Sequence, residues 1–126
     1  MKKVIFTKNA PAPIGPYNQA IQHNDTVYVS GQIAINPATG DLEIDDLKKE
    51  TQLVMENLGA VLNASGMNYS NIVKCSIFLS DMDSFGIVNE IYGSYFTENF
   101  PARETVEVAC LPKSVNVEIS CVAVAN

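Results

Sequence analysis

Apolar and polar residues alternate along this chain with two different periods. Across Lys3–Thr7, Tyr17–Gln22 and Thr26–Ile35 the period is two, the spacing of half-buried strands. Turn signals separate these runs: the proline-rich PAPIGP (11–16), HND (23–25) and NPATG (36–40). From Leu47 the period lengthens. Leu47, Thr51, Val54, Leu58, Val61, Leu62 and Ser65 recur at three- and four-residue spacing, one face of a helix about five turns long. Asp45 or Asp46 is placed to cap its start, and Gly66 to end it.

SNIVKCSIFLSD (70–81) returns to strand spacing, with Val73, Cys75, Ile77 and Leu79 expected on one side. A second helix is predicted from about Ser84, with Phe85, Val88, Tyr92, Tyr95 and Phe96 as its buried stripe. Asp81 or Asp83 is its expected cap, and Pro101 lies beyond its end. Strands at 104–111 and 115–124, split by Pro112-Lys113-Ser114, close the chain. The order β-β-β-α-β-α-β-β predicts a single α+β domain over 1–126, with two helices on one face of a mixed sheet. The opposite face is expected to carry Ile72, Lys74, Ser76 and Phe78, then Thr105, Glu107 and Ala109, then Glu118, Ser120, Val122 and Val124. Such a set is too apolar for water and too polar for a monomer core, so it predicts a homo-oligomer.

Composition narrows the classes of function. At 126 residues the chain suits one domain, and with 47% apolar residues it is not a disordered segment. Eight scattered cations against fourteen carboxylates, net charge −6, argue against a nucleic-acid partner. Lys2-Lys3 precede only Val4-Ile5-Phe6, too short for a signal-peptide core, and nothing later approaches a membrane span. Cys75, Cys110 and Cys121 are odd in number and form no CxxC pair. They read as reduced core cysteines, which makes the cytoplasm the expected compartment.

Familiar catalytic constellations are missing from the sequence. His23, the sole histidine, falls in a turn, and Ser30 of VSGQ has no neighbouring base. One histidine without paired cysteines does not make a metal site, and IDD (44–46) serves better as a helix cap. No glycine-rich phosphate loop is present. The polar residues left in apolar settings are Tyr17, Ser30, Asn89, Arg103, Thr105 and Glu118. Ordinary roles remain open for them: Tyr17 as a core residue, Asn89 as a solvated helix position, Arg103 and Glu118 as a plain salt bridge. Arg103 is distinctive because it is the only arginine, every other fixed cation being a lysine. A planar, two-pronged cation offers what lysine cannot.

Several segments together resemble one family. GPYNQA (15–20), VSGQI (29–33), MENL (55–58), VNEIYGSYF (88–96), PARETVEVACLPK (101–113) and VEIS (117–120) are similar to the RidA family of reactive intermediate deaminases, also called the YjgF family. The likeness is collinear over nearly the whole chain. It implies a chorismate-mutase-like fold assembled as a homotrimer, whose six-stranded sheets form a central barrel. It implies hydrolysis of 2-imino acids and their enamines, such as 2-iminobutanoate and 2-iminopropanoate, to 2-oxo acids and ammonia. These substrates would be released by pyridoxal-phosphate enzymes, and no metal or cofactor is needed. By the same resemblance Arg103 binds the substrate carboxylate and Glu118 positions or activates water. Tyr17, Ser30 and Asn89 line a pocket between subunits, and Thr105 offers its backbone carbonyl.

Two departures stand out: Thr105 replaces a cysteine found in many members, and Glu104 replaces a small residue. Strand alternation predicts that Glu104 points away from Arg103 and Thr105. Two alternatives stand beside the deaminase function, the first through the same arginine. One is a regulatory trimer that binds small carboxylates without turnover. The other is an endoribonuclease, against which the acidic balance and the lone loop histidine argue.

Overall fold

Along the last strand every second residue, from Val117 through Ile119 and Cys121 to Ala123, is buried, while Glu118, Ser120 and Val122 are half-buried. This alternation divides a central sheet into a dry face and a wetter one. The computed structural model describes residues 1–126. Its strands are β1 Lys2–Ile5, β2 Ala20–His23, β3 Thr26–Gln32, β4 Ile72–Leu79, β5 Ala102–Glu107 and β6 Val117–Val124. They form one sheet in the order β1-β2-β3-β6-β4-β5. Only β4 and β5 run parallel, as the intervening helix crossover requires.

Helix α1 (Leu47–Ala64) lies over β3 and β6, and α2 (Phe85–Gly93) packs beside it. The expected α+β arrangement, with two helices on one face of a mixed six-stranded sheet, is the observed one. Val54, Leu58, Val61 and Leu62 of α1 close over Val27, Ile77, Ile119 and Cys121. Each large aliphatic side chain buried here contributes about 1.5–3 kcal/mol. Asp46, not Asp45, caps α1 by accepting from Lys48 N (2.9 Å) and Lys49 N (3.2 Å). Gly66, at φ 82°, ends it in the left-handed region.

The segment before α2 differs from expectation. Asp81 caps a short 3-10 turn, Met82–Ser84, and α2 follows from Ser84 without a side-chain cap. The helix stops at Gly93, so Tyr95 and Phe96 pack as aromatics beyond its end. His23 closes β2, leaving Asn24-Asp25 as the turn, with Asn24 at φ 53°. Strand β2 begins only at Ala20, which leaves Tyr17 in the preceding loop.

Two assignments of sheet face are corrected. A register shift between Ile72 and Lys74 turns Ile72 into the core and leaves Val73 48% exposed, the reverse of the expected alternation. Strand β5 begins at Ala102 and pairs Arg103 with Cys75, Thr105 with Ile77 and Glu107 with Leu79. Partners in a ladder share a face, so Arg103, Thr105 and Glu107 lie on the helix side. Ala109 falls outside the strand. Cys110 is exposed and not a core residue. Cys75 and Cys121 are buried opposite one another on β4 and β6, where desolvation pushes the Cys75 thiol up to about 11.

The face without helices carries Ser76, Phe78, Glu104, Val106, Glu118 and Ser120. Ladder pairs Val4–Ile21, Ile21–Tyr28 and Tyr28–Val122 continue it as an apolar stripe, with Val4 52% and Tyr28 53% exposed. No helix is long and apolar enough to cross a membrane.

Candidate active site

A β-bulge builds the first half of the site. In the β3–β6 ladder Val29 faces Cys121 and Gln32 faces Ile119, so Ser30 and Gly31 together oppose Ser120 alone. The bulge lets the Glu118 side chain lie flat against the β3 backbone. A Cβ on Gly31 would collide with Glu118 Oε2 and stand 2.8 Å from its Cδ. Glu118 accepts no hydrogen bond and has no cationic neighbour; desolvation alone holds its carboxyl above the ordinary glutamate range.

Glu118 lines a cavity of about 370 Å³ with Tyr17, Ser30, Gly31, Gln32, Ile33 and Ile35, closed by Pro11, Ala12, Ile14 and Pro112. Tyr17 is 46% exposed, so the reading of it as an ordinary core residue fails. Ser30 Oγ donates to Asn18 O at 2.6 Å, which ties the Tyr17 loop to the bulge.

Three buried polar residues brace these walls. Gln19 Nε2 donates to Thr7 O (3.0 Å), Ala10 O (3.3 Å) and Pro11 O (2.9 Å), and Gln19 Oε1 accepts from Thr7 N (2.8 Å). It thereby pins the proline loop. Asn57 Nδ2 donates to Ile33 O (3.1 Å) and Ile35 O (3.0 Å). Glu50 accepts from Asn116 N (2.8 Å), Asn116 Nδ2 (2.7 Å) and Val117 N (3.3 Å), fixing the start of β6. Glu50 and Asn57 stand two turns apart on α1. Periodicity of apolar residues passes over both because they are polar. Gly31 did leave a signal, since a glycine inside a strand pattern marks a bulge or a close approach.

The second half lies across the sheet. Arg103 Nη1 donates to Asn89 Oδ1 at 2.6 Å, and both line a shallow hollow with Tyr92, Gly93, Phe100 and Pro101. Asn89 is therefore not merely solvated. Thr105 is two residues along on the same face, and its Oγ1 is buried without a partner. Glu104 points the other way, as strand alternation predicted. Ser76 Oγ donates to it and Lys74 Nζ stands 3.2 Å away, which together hold its carboxyl below the ordinary range. A salt bridge between Arg103 and Glu118 does not form: they leave the sheet on opposite faces. Within one chain, Tyr17, Ser30 and Glu118 come together, as do Asn89, Arg103 and Thr105, but the two groups remain apart.

The model of a family described as endoribonuclease L-PSP matches residues 7–125. The chain belongs to this family, the RidA or YjgF family. This RidA-family chain is 45% identical over 124 residues to a Mus musculus protein named 2-iminobutanoate/2-iminopropanoate deaminase, covering 98% of this chain and 92% of the relative. A Rid-family crystal structure from Yersinia pestis superposes with a TM-score of 0.96 at 50% identity, covering 99% of this chain and 100% of that one. The structure of E. coli TdcF with bound serine superposes at 0.94 with 37% identity, covering 98% and 99%. The six-stranded α+β fold of the single chain expected from the RidA resemblance is thus the fold observed. Gly31, Glu50, Asn57 and the aromatic neighbours of Arg103 are the surroundings of these candidate groups that the sequence alone did not single out.

Proposed function

We propose that this chain hydrolyses small 2-imino acids and their enamine tautomers to 2-oxo acids and ammonia, in pockets shared between copies of a homotrimer. The observation that carries this reading is a pair of unmatched charges. Arg103 has no carboxylate partner, the chain's single ion pair being Lys74–Glu104, and Glu118 has no cation. A 2-imino acid carries a carboxylate beside a protonated imine, so it complements both groups at once. The apolar stripe on the open sheet face supports a second copy as the element that brings them together.

In this reading Arg103 grips the substrate carboxylate through two parallel charge-assisted bonds, while Asn89 steadies the guanidinium. Glu118 takes a proton from water as the water oxygen bonds to the imine carbon. The C=N π electrons move to nitrogen and give a tetrahedral carbinolamine. The proton then passes from Glu118 to the amine, the C–N bond breaks with its electrons on nitrogen, and ammonia leaves. The hydroxyl proton of the carbinolamine is released as the C=O bond of the 2-oxo acid forms. A protonated imine is already electrophilic, so orientation and one base suffice. Tyr17 and Ser30 line the reacting end, and the Thr105 carbonyl serves as a further contact. Residue 105 is threonine, so no thiol takes part there.

The names of curated relatives support 2-iminobutanoate and 2-iminopropanoate as substrates. Their origin in pyridoxal-phosphate enzymes and a cytoplasmic location belong to the same proposal. Ribonuclease activity, suggested by the family description, fits less well with a net charge of −6 and an exposed His23 that does not line the cavity.

The test is a coupled assay in which a dehydratase generates 2-iminobutanoate from threonine. Addition of the purified protein is expected to speed loss of the imine absorbance. Unchanged decay together with calorimetric binding of 2-oxobutanoate would instead assign a carboxylate-binding regulator. RNA incubated with the protein at low salt is expected to stay intact.

A further inference from the structure

One helix holds the Arg103 guanidinium with three of its side chains. The central carbon of Arg103 lies 5.2 Å from the Tyr92 ring centroid and 5.6 Å from that of Phe85. Asn89 accepts from Nη1 at 2.6 Å. Residues 85, 89 and 92 belong to α2 at spacings of four and three, so they form one stripe. The helix itself is anchored in the core by Val88 and by Tyr92, whose ring packs 5.0 Å from Phe96.

We propose that Phe85 and Tyr92 are positioning residues that orient the Arg103 guanidinium for a carboxylate before the ligand arrives. The identity of that ligand rests on the deaminase reading above. The argument is geometric. Attraction between a cation and an aromatic ring acts through the ring face, whereas hydrogen bonds to a carboxylate lie in the guanidinium plane. The rings therefore restrain the cation without using any of its donors. Asn89 takes one of five N–H groups, leaving four for a two-pronged grip. A carboxylate arriving at such a site meets an arginine whose rotamer freedom was already lost on folding, and it has no resident carboxylate to displace.

Phe85 is the residue that separates positioning from packing. It is 37% exposed, so the core does not require its full ring, whereas Tyr92 serves both purposes. Phe85→Leu removes the ring and keeps an apolar side chain; Phe85→Tyr keeps the ring.

Because the chain has one arginine, its Nε–Hε group gives a single resonance in a 15N–1H correlation spectrum, identified without assignment. In the wild type this signal is expected to be sharp and shifted by ring currents. In Phe85→Leu it should move towards the position of free arginine and broaden by solvent exchange. Calorimetric affinity for 2-oxobutanoate should weaken about 3- to 30-fold, with KM for the imine rising in parallel and kcat changing by less than about twofold. Phe85→Tyr should restore both the signal and the affinity. An unmoved arginine signal with unchanged affinity in Phe85→Leu, alongside normal wild-type turnover, overturns the proposal alone. A wild-type protein that neither binds 2-oxobutanoate nor hydrolyses imine overturns the functional reading and the ligand proposed here with it.

Discussion

Arg103 and Glu118 project from opposite faces of the same sheet, Arg103 paired with Cys75 on the helix side and Glu118 with Phe78 on the open side. No rotamer change brings them to one small ligand, so a shared site needs the arginine of one copy and the glutamate of another. In a cyclic trimer each site then draws on two subunits. Light scattering is expected to give three times the mass of the chain. Arg103→Lys and Glu118→Gln variants, each nearly inactive alone, should regain activity when co-expressed. Random mixing leaves both native residues at roughly a quarter of the sites, so about a quarter of wild-type activity is expected. Mixed trimers without recovery would refute the shared site.

Arg103→Lys keeps the charge and loses the fork. Arg103 is exposed, and its core neighbour Tyr92 is held by its own packing on Phe96, so circular dichroism and trimer mass should not change. Affinity for 2-oxobutanoate and kcat/KM for imine hydrolysis should fall about 30-fold or more, the scale for breaking a desolvated charge pair. Near wild-type kinetics in the lysine variant would remove Arg103 from the ligand's carboxylate.

Glu118 must be ionised to accept a proton from water, and desolvation raises its pKa above the ordinary 4.5. Activity should therefore rise with pH through a midpoint above 4.5 and be lost as pH falls through that midpoint. Glu118→Gln keeps the shape, abolishes this limb of the kcat profile and lowers kcat roughly 100-fold or more. An acid limb that survives in Glu118→Gln would assign the base to another group.

Gly31→Ala tests the bulge. The added methyl meets the end of a flexible side chain, so Glu118 can swing aside with little effect on folding. Displacing a catalytic group by about 1 Å costs on the order of 100-fold in rate. Stopped-flow kinetics should show this loss while the thermal midpoint changes little.

Glu50→Gln tests the brace beneath β6. The carboxylate satisfies three donors of Asn116 and Val117, and an amide turns its own N–H₂ towards them. Urea titration should report a loss of about 2–3 kcal/mol. A variant as stable as the wild type would mean that the start of β6 is held by other contacts.

The order of strands and helices, the extent of α1 and the opposition of Glu104 to Arg103 and Thr105 were legible in the sequence because each follows from periodicity within one segment. Arg103 was conspicuous as a lone arginine, and Glu118 as a carboxylate within the apolar run VNVEISCVAV. What the sequence could not supply was the relation between segments. Alternation gives β5 two faces but does not say which one meets the helices; the parallel register with β4 decides that, and it moved Thr105 and Glu107 across the sheet. A bulge adds one residue without changing composition, so neither the inward turn of Ile72 nor the bed that Gly31 makes for Glu118 could be read from spacing. Glu50 and Asn57 look like solvated helix positions until tertiary packing brings unpaired backbone groups to them. Residue type fixed which groups can do chemistry; register fixed which of them meet, because the face a side chain occupies is a property of strand pairing and not of the strand alone.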